Sequence, residues 1–277
     1  MNIAMQHIFS DNDENSEWAK KALEAKKENG PEFWPTMRKV IEHDLETLER
    51  KSFRRWASIG CIPLANNSRM WQPITNACSV AMDDEEFYNI LVDDFIGIED
   101  EWKQAFQVFH DAPFSAHRCY NADHLLKYDE FNDMSEIKEM KTIVEIGGGY
   151  GDMASLIHKF GFEGDYYMFD FPEIHELQKY YLGRQGFSHV KYISEVEEIP
   201  ESANLTIGTW SLSEMKDELR DSIIDKINSE HWLITYQNNI FGNSNHKYFV
   251  EKFDEVDYAV DNIPYMPFDG GNNYLIV

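Results

Sequence analysis

A short apolar run that stops at a cluster of glycines constrains this chain more than any other stretch. The run covers residues 142–146 (TIVEI), and the loop that follows at residues 147–151 reads GGGYG. A run so rich in β-branched residues is typical of a buried parallel strand. Glycines permit a close approach of the backbone to a ligand, and the helix predicted from Asp152 directs free N–H groups at the same place. The stretch therefore predicts a strand, a ligand-binding loop and a helix in succession.

An acidic residue at the end of the second predicted strand indicates which ligand is bound. That strand covers Tyr166–Phe169 and is followed by Asp170. A carboxylate at this position can accept both hydroxyls of an adenosine ribose. A dinucleotide is not favoured, because the pattern G-x-G-x-x-G counted from Gly147 needs a glycine where Asp152 stands. We therefore predict a βαβ unit with a nucleoside in its crevice.

The loop and its preceding acid read Glu145-x-Gly147-x-Gly149-x-Gly151. This arrangement resembles motif I of the class I S-adenosylmethionine (SAM) methyltransferases, and Asp170 falls where that superfamily keeps its ribose-binding acid. The ammonium and sulfonium charges of SAM also suit a nearby carboxylate such as Glu145. The resemblance implies that SAM is the cofactor and that these five residues line its site. The alternative is a glycine turn that only packs a helix on a strand.

Two longer segments, IVEIGGGYGDMA and FDFPEIHELQKYYL, narrow the resemblance. They look like the sugar O-methyltransferase family, whose loop reads EIGGGYG and whose second strand runs into an Asp-x-Pro-Glu segment. The resemblance covers roughly the last half of the chain. It implies O-methylation of a sugar or of a sugar-bearing small molecule, with a carbohydrate acceptor as partner. Methylation of another small molecule or of a protein, and a protein that binds SAM or oligomerises without turnover, are the alternatives.

Further predicted strands complete a sheet after the second one. They are His189–Ile193, Ala203–Thr209, Trp232–Tyr236, one near Tyr258–Ile263, and Asn273–Val277. The order of elements predicts an α/β fold with a Rossmann-like class I methyltransferase sheet, mostly parallel with a C-terminal antiparallel hairpin. Before these strands, the sequence patterns are mostly helical. We expect a helical N-terminal region over residues 1–138, acting as substrate wall, lid or oligomerisation surface, and a SAM-binding domain over residues 139–277.

The N-terminal region is predicted to hold two helices before a long loop. A segment rich in Ala, Lys and Glu that ends before Gly30-Pro31 predicts a helix over Ser16–Glu28. Apolar spacing predicts a second helix from Met37 to Ile59. Residues 60–80 lack a clear period and are predicted to be a loop. Within it, Arg69 could clamp a phosphate and Trp71 could stack on a sugar ring, so both are candidate substrate residues. The alternative is that Trp71 fills the helical core.

Three histidines recur at seven-residue intervals, at His110, His117 and His124. Pro113 interrupts any helix that would align all three, so a metal site is not predicted. His117 and Arg118 are candidates for a polar wall that faces the substrate. Ordinary surface and packing roles are the alternative.

The ends of the later strands carry the remaining candidates. Glu195 follows the third strand, where the class I fold often places polar groups beside the adenine, so it is a predicted cofactor residue. After the fourth strand, Ser211 is predicted to contact the cofactor and Glu214 to orient or deprotonate the acceptor. Ser211-x-x-Glu214 also has the pattern of a helix capping box.

His246, after the fifth strand, is the other candidate for the catalytic base. A neutral imidazole with a pKa near 6.5 can accept the proton of a sugar hydroxyl. We prefer His246 to Glu214 because Glu214 has a competing capping duty. The alternative for His246 is a surface position at the start of a helix.

Composition limits the partners and the location. The chain has 50 acidic and 25 basic residues, a formal charge of −25, which repels phosphate backbones and anionic membranes. The turn after the fourth strand also lacks the Asn-Pro-Pro-Tyr pattern of methyltransferases that act on base amino groups, so no nucleic-acid partner is expected. Neither a membrane helix nor a signal peptide is apparent, which predicts a cytoplasmic protein. A homo-oligomer is compatible with this composition.

The cysteines give little support for cross-links or thiolate metal sites. Cys61, Cys78 and Cys119 are odd in number and far apart in sequence, with no C-x-x-C pair. We expect them to be buried free thiols. The sequence demands no metal, and assistance by a Mg²⁺ ion held by Asp or Glu side chains is the alternative.

Overall fold

A computed structural model of the chain describes residues 33–56, 58–59, 71–109, 112–240, 243–254, 259–262 and 271–277. The helices of the first half are α1 (Phe33–Thr47), α2 (Trp71–Asp83), α3 (Glu85–Leu91), α4 (Lys103–Phe106) and α5 (Ala116–Asp129), with 3₁₀ turns at Arg50–Arg55, Asp100–Trp102 and Met134–Glu139. None of the helices in these ranges is long and apolar enough to cross a membrane.

The second half alternates strands and helices. In chain order it contains β1 (Thr142–Ile146), α6 (Asp152–Lys159), β2 (Asp165–Phe169), α7 (Pro172–Arg184), β3 (Val190–Ile193), a 3₁₀ turn (Val196–Glu198), β4 (Ser202–Thr209), α8 (Ser211–Glu214), α9 (Asp217–Lys226), β5 (Asn228–Gln237), β6 (Asn239–Ile240), β7 (Asn243–Ser244), α10 (Asn245–Lys252), β8 (Ala259–Asn262) and β9 (Asn272–Ile276). The strands β6 and β7 form a separate antiparallel pair of two residues each.

One sheet of seven strands organises the fold, in the order β3-β2-β1-β4-β5-β9-β8. The first five of these strands are parallel, whereas β9 runs antiparallel to both β5 and β8. The predicted α/β fold, mostly parallel with a C-terminal antiparallel hairpin, is confirmed. The strand order reverses at β1, which lies between β2 and β4. In open α/β sheets, ligands bind in the crevice beyond the carboxyl ends of the strands at such a reversal.

An apolar core joins the helical first half to one face of the sheet. It contains fully buried residues from both parts, among them Phe53, Ile74 and Leu125 from the first half and Leu205 and Leu233 from the strands. A second cluster covers the other face of the sheet with α9 and α10. The first half therefore packs directly on the sheet, and the boundary predicted near residue 138 does not interrupt the core.

Two predictions for the first half are wrong. The helix predicted from Met37 to Ile59 ends at Thr47, and the 3₁₀ turn that follows directs Arg54 and Arg55 inward. The loop predicted over residues 60–80 is helical from Trp71 onward. Its buried face consists mostly of small residues, so no strong apolar period is visible, and its proline stands in the first turn, where the missing N–H costs nothing. The helix predicted over Ser16–Glu28 lies outside the described residues.

Two of the cysteines meet between α2 and α5. Cys78 and Cys119 are buried and free, with their sulfur atoms 3.9 Å apart. This agrees with the expectation of buried free thiols. Cys61 lies outside the described residues.

Buried charges connect α5 to the start of α6. The guanidinium of Arg118 lies 2.9 Å from a carboxylate oxygen of Asp152, and both side chains are almost fully buried. Tyr181 donates a hydrogen bond to the same carboxylate at 2.9 Å. Burial alone would disfavour the charged carboxylate, but Arg118, together with His117 and Arg54, outweighs it and holds the pKa of Asp152 well below its usual range. Since Asp152 directly follows the glycine loop, this ion pair fixes the loop against the helical half.

Removing one partner of this pair is predicted to be costly. Arg118→Met leaves the Asp152 carboxylate buried without its counter-charge, and we expect a loss of about 3 to 5 kcal/mol in the free energy of unfolding. Urea denaturation at 25 °C measures the loss. As a matched control, Lys191→Met breaks the exposed ion pair with Asp165, 2.6 Å long, and should cost less than about 1 kcal/mol. Equal stabilities for the two variants would contradict this account.

Candidate functional site

The glycine loop at the carboxyl end of β1 forms the floor of the crevice. Gly147 has a φ of 74°, and a Cβ atom there would lie 2.3 Å from the Cβ atom of Ser211. Gly149 has a φ of 54°, and a Cβ atom placed on it would meet no atom within 4 Å. Gly147 is thus required by close packing against the turn after β4, whereas the backbone at Gly149 borders open space. Such a loop can accept a ligand against its backbone.

Asp170 is held beside this loop. Its carboxylate accepts hydrogen bonds from the backbone N–H of Phe171 at 2.8 Å and from Nε2 of Gln178 at 3.1 Å. The same Gln178 nitrogen donates to the carbonyl oxygen of Gly149 at 2.9 Å. Burial raises the pKa of Asp170 to about 7, although these donors work in the opposite direction. Two of the predicted cofactor residues, Gly149 and Asp170, are therefore brought together by a third residue that the sequence analysis missed.

Glu145 lies beneath the loop. Its side chain is fully buried and accepts a hydrogen bond from the Tyr166 hydroxyl at 2.8 Å. A Cβ atom on Gly148 would lie 2.8 Å from a Glu145 carboxyl oxygen, so the loop passes directly over this group. Burial raises the pKa of Glu145 to about 8. Its position makes Glu145 a support for the loop, and a direct contact with the cofactor stays a prediction.

Ser211 connects the turn after β4 to β1. Its hydroxyl donates to the carbonyl oxygen of Ile146, the last residue of β1. The preceding residue, Trp210, has a φ of 71°, a region that non-glycine residues rarely occupy. Its indole Nε1 is buried and has no hydrogen-bond partner among the described residues. Backbone strain of this kind is concentrated at functional sites. The sequence analysis could not predict it, because a backbone angle cannot be read from sequence.

The capping box predicted from Ser211 and Glu214 is wrong. Helix α9 begins only at Asp217, and its N-cap residue Lys216 makes no side-chain capping bond. The carboxylate of Glu214 instead accepts a hydrogen bond from Nε1 of Trp34 at 2.9 Å. Burial raises the pKa of Glu214 to about 7, while hydrogen bonds from Trp34 and Gln237 lower it. Glu214 is therefore free of the competing duty, and its pKa lies near neutrality.

His246 has different surroundings. It is exposed at the start of α10, and its Nδ1 lies 3.0 Å from the hydroxyl of Tyr236. The residue of α10 that reaches the ends of β4 and β5 is its neighbour Asn245, which donates to the carbonyl oxygens of Ser213 at 3.1 Å and Gln237 at 3.0 Å. The contacts of His246 thus lie with Tyr236 and not with Glu214.

The predicted substrate residues do not form one group. Trp71 is 37% exposed at the start of α2, with its ring 6.0 Å from that of the exposed Phe109. His117 is half-buried and lies 3.1 Å from the hydroxyl of Tyr150 in the glycine loop. Arg118 is completely buried in its ion pair with Asp152, so its position does not support a contact with substrate. Arg69 lies outside the described residues.

Glu195 is exposed beyond β3. It occupies the N-cap position of the 3₁₀ turn Val196–Glu198 and forms a capping box with Glu198. Its role beside the adenine stays a prediction. In contrast, the hydroxyl of the preceding Ser194 points inward and donates to the carbonyl oxygen of Asp170 at 2.9 Å.

The histidine spacing does not produce a metal site in the part of the chain that the structure describes. His117 and His124 both lie on α5, but His124 is fully buried and its Nδ1 lies 2.7 Å from the hydroxyl of Tyr274. Burial lowers the pKa of His124 to about 3. No cluster of three or more potential metal ligands occurs among the described residues, and His110 lies outside them.

No family model and no curated protein matches the chain, so comparison of sequences identifies no relative. Among solved structures, the mitomycin 7-O-methyltransferase is 17% identical to this chain, with a TM-score of 0.40. The match covers 79% of this chain and 70% of that enzyme. The precorrin-6y C5,15-methyltransferase from Geobacter metallireducens is 14% identical, with coverages of 57% and 85% and a TM-score of 0.39. The ribosomal protein L11 methylase from Lactobacillus delbrueckii is 13% identical, with coverages of 57% and 77% and a TM-score of 0.41. At such identities and TM-scores the likeness does not decide what this chain acts on.

Proposed function

We propose that this chain is a SAM-dependent O-methyltransferase that acts on a sugar or a sugar-bearing small molecule. The observation that carries the proposal is the placement of Asp170 beside Gly149 at the reversal of strand order. A glycine loop, a carboxylate at the end of the neighbouring strand and the crevice between them are the parts that a nucleoside requires. The spacing Glu145-x-Gly147-x-Gly149-x-Gly151 favours SAM over a dinucleotide.

The residues present fit SAM. The open space at Gly149 is available to a ligand that lies along the loop. Asp170 would accept the ribose hydroxyls, and the backbone of the loop would hold the methionine part, with Ser211 fixing the neighbouring turn. When bound, SAM supplies an electrophilic methyl group for the acceptor oxygen.

Glu214 is the favoured base for the acceptor hydroxyl. A group that accepts a proton at neutral pH works best with a pKa near the operating pH, and burial places the pKa of Glu214 at about 7. Trp34 and Gln237 hold the carboxylate in a fixed orientation, which is the main requirement when catalysis consists largely of positioning. His246 is kept as the alternative base, since it also follows a strand end.

A carbohydrate acceptor is supported by the surface of the helical half. Exposed aromatic rings such as Trp71 and Phe109 can stack against the apolar C–H face of a sugar. The half-buried His117 beside the glycine loop supplies a polar group that can bond a hydroxyl. The charge of −25 makes a phosphate-rich polymer a poor competitor.

Binding of SAM is the first test of this proposal. Calorimetry should detect SAM and S-adenosylhomocysteine, and Asp170→Ala should weaken both by about 1.5 to 3 kcal/mol because charged hydrogen bonds to the ribose are lost. Asp165→Ala removes an exposed carboxylate from β2, the strand that Asp170 follows, and should leave the affinity unchanged. Heat from NAD without any from SAM would refute the proposal.

The base is tested by two substitutions. With methyl-labelled SAM and a panel of sugars and nucleotide sugars, Glu214→Gln should lower kcat by about 10² to 10⁴, because the amide keeps the shape of the side chain but cannot accept the proton. His246→Ala should retain kcat within about threefold. The affinity for S-adenosylhomocysteine should be unchanged in both variants. The reverse pattern of kcat values would assign the base to His246.

A further inference from the structure

A tryptophan from the N-terminal helix reaches across the crevice. Trp34, in the first turn of α1, donates its indole N–H to Glu214, which follows β4, at 2.9 Å. Its ring also lies 5.9 Å from that of Phe171, which follows β2. Because β1 lies between β2 and β4 in the sheet, a side chain that contacts both neighbours must span the end of β1. The glycine loop begins at that end.

A second residue of α1 fixes the helix in this place. Arg38 forms a hydrogen-bonded ion pair with Glu173, whose side chain is nearly buried at the start of α7. The guanidinium of Arg38 also lies 4.5 Å from the centre of the Phe171 ring, within the range of a cation–π contact. Arg38 lies one turn after Trp34 on the same helix and is held on the β2 side of the site. Trp34 also contacts Glu214 on the β4 side, so contacts on both sides of β1 fix its position.

We propose that Trp34 is a positioning residue of the SAM site, whose indole roofs the crevice above the glycine loop and whose N–H holds the Glu214 carboxylate toward the reacting methyl group. The inference rests on the proposed function, because it assigns Trp34 to the site in which SAM and the acceptor meet. It makes the N-terminal helix a part of that site. The crevice of the sheet alone would lack both the roof and the donor.

The hydrogen bond determines the charge of Glu214 as well as its orientation. The groups that face this carboxylate are the indole of Trp34 from α1 and the side-chain amide of Gln237 from β5, and both are neutral donors. Gln237 is itself held by Ser213, which donates to its side-chain oxygen. Donors of this kind favour the ionised carboxylate against the burial that opposes it. Removing Trp34 Nε1 should therefore raise the pKa of Glu214.

The charge of Glu214 can be read through ligand binding without any acceptor. SAM carries a sulfonium charge that S-adenosylhomocysteine lacks, so a carboxylate close to the sulfur favours SAM as it ionises. In the wild type, the ratio of the two dissociation constants should change about tenfold in favour of SAM between about pH 5 and about pH 8.5, which corresponds to about 1.4 kcal/mol. The midpoint of the change should reflect the Glu214 pKa of about 7, lowered further by the sulfonium.

Trp34→Phe keeps the aromatic ring but removes the donor. We expect the midpoint of the affinity ratio to move up by about one pH unit. Glu214→Gln should remove the part of the pH dependence that Glu214 contributes and leave only the part that comes from Asp170 and Glu145. Trp102→Phe, which changes a half-buried tryptophan that stacks with Arg55, is the matched control and should leave the midpoint in place. A purely structural role for Trp34 would weaken both ligands equally without moving the midpoint, and that result would overturn the inference.

A second measurement does not depend on the folding of the Trp34 variant. In wild-type protein with ¹⁵N-labelled tryptophan, one of the seven indole N–H resonances should titrate with Glu214, and this titration should be absent in Glu214→Gln. If no indole resonance titrates, or if the titration persists in Glu214→Gln, the pairing is refuted. Failure of SAM and S-adenosylhomocysteine to bind would instead refute the proposed function, so the two failures are distinguishable.

Discussion

The buried ion pair between Arg118 and Asp152 is the interaction on which the rest of the site depends. Asp152 is the first residue of α6 and directly follows Gly151, so its side chain determines where the glycine loop ends. Arg118 brings α5 of the helical half to this point. A second buried pair, Arg54 with Asp93, lies beside it, and Ser115 accepts hydrogen bonds from Arg54 and from the backbone N–H of Arg118. The charges thus couple the helices to the loop, and the shared apolar core supplies the bulk of the attachment.

The surroundings of the crevice disfavour the ionised form of the carboxyl groups around it. Burial raises the pKa values of Glu145, Asp170 and Glu214 to about 8, 7 and 7. A cation bound near these three carboxyl groups would stabilise their ionised forms, since a nearby positive charge lowers the pKa of each. SAM carries such charges on its sulfonium and its ammonium. The electrostatics and the glycine spacing therefore point to the same ligand, although they are independent properties of the chain.

Much of the sheet could be predicted from sequence because its strands are apolar, β-branched and bounded by glycine, proline or acidic residues. The loop after β1 and Asp170 were readable for the same reason, since their spacing follows from the geometry of a βαβ unit. Contacts between distant segments were not readable. Trp34 and Glu214 are separated by 180 positions, and no local pattern signals their hydrogen bond. Arg118 was predicted to face the substrate because an isolated arginine is usually exposed, and only its buried partner reveals the structural role.

A crystal structure with S-adenosylhomocysteine tests the central claim most directly. The account predicts that the two ribose hydroxyls bond to Asp170, that the amino-acid part lies along the glycine loop, and that the sulfur faces the Glu214 carboxylate below the Trp34 indole. The ligand bound elsewhere, or bound in this crevice with its ribose away from Asp170, would contradict the account.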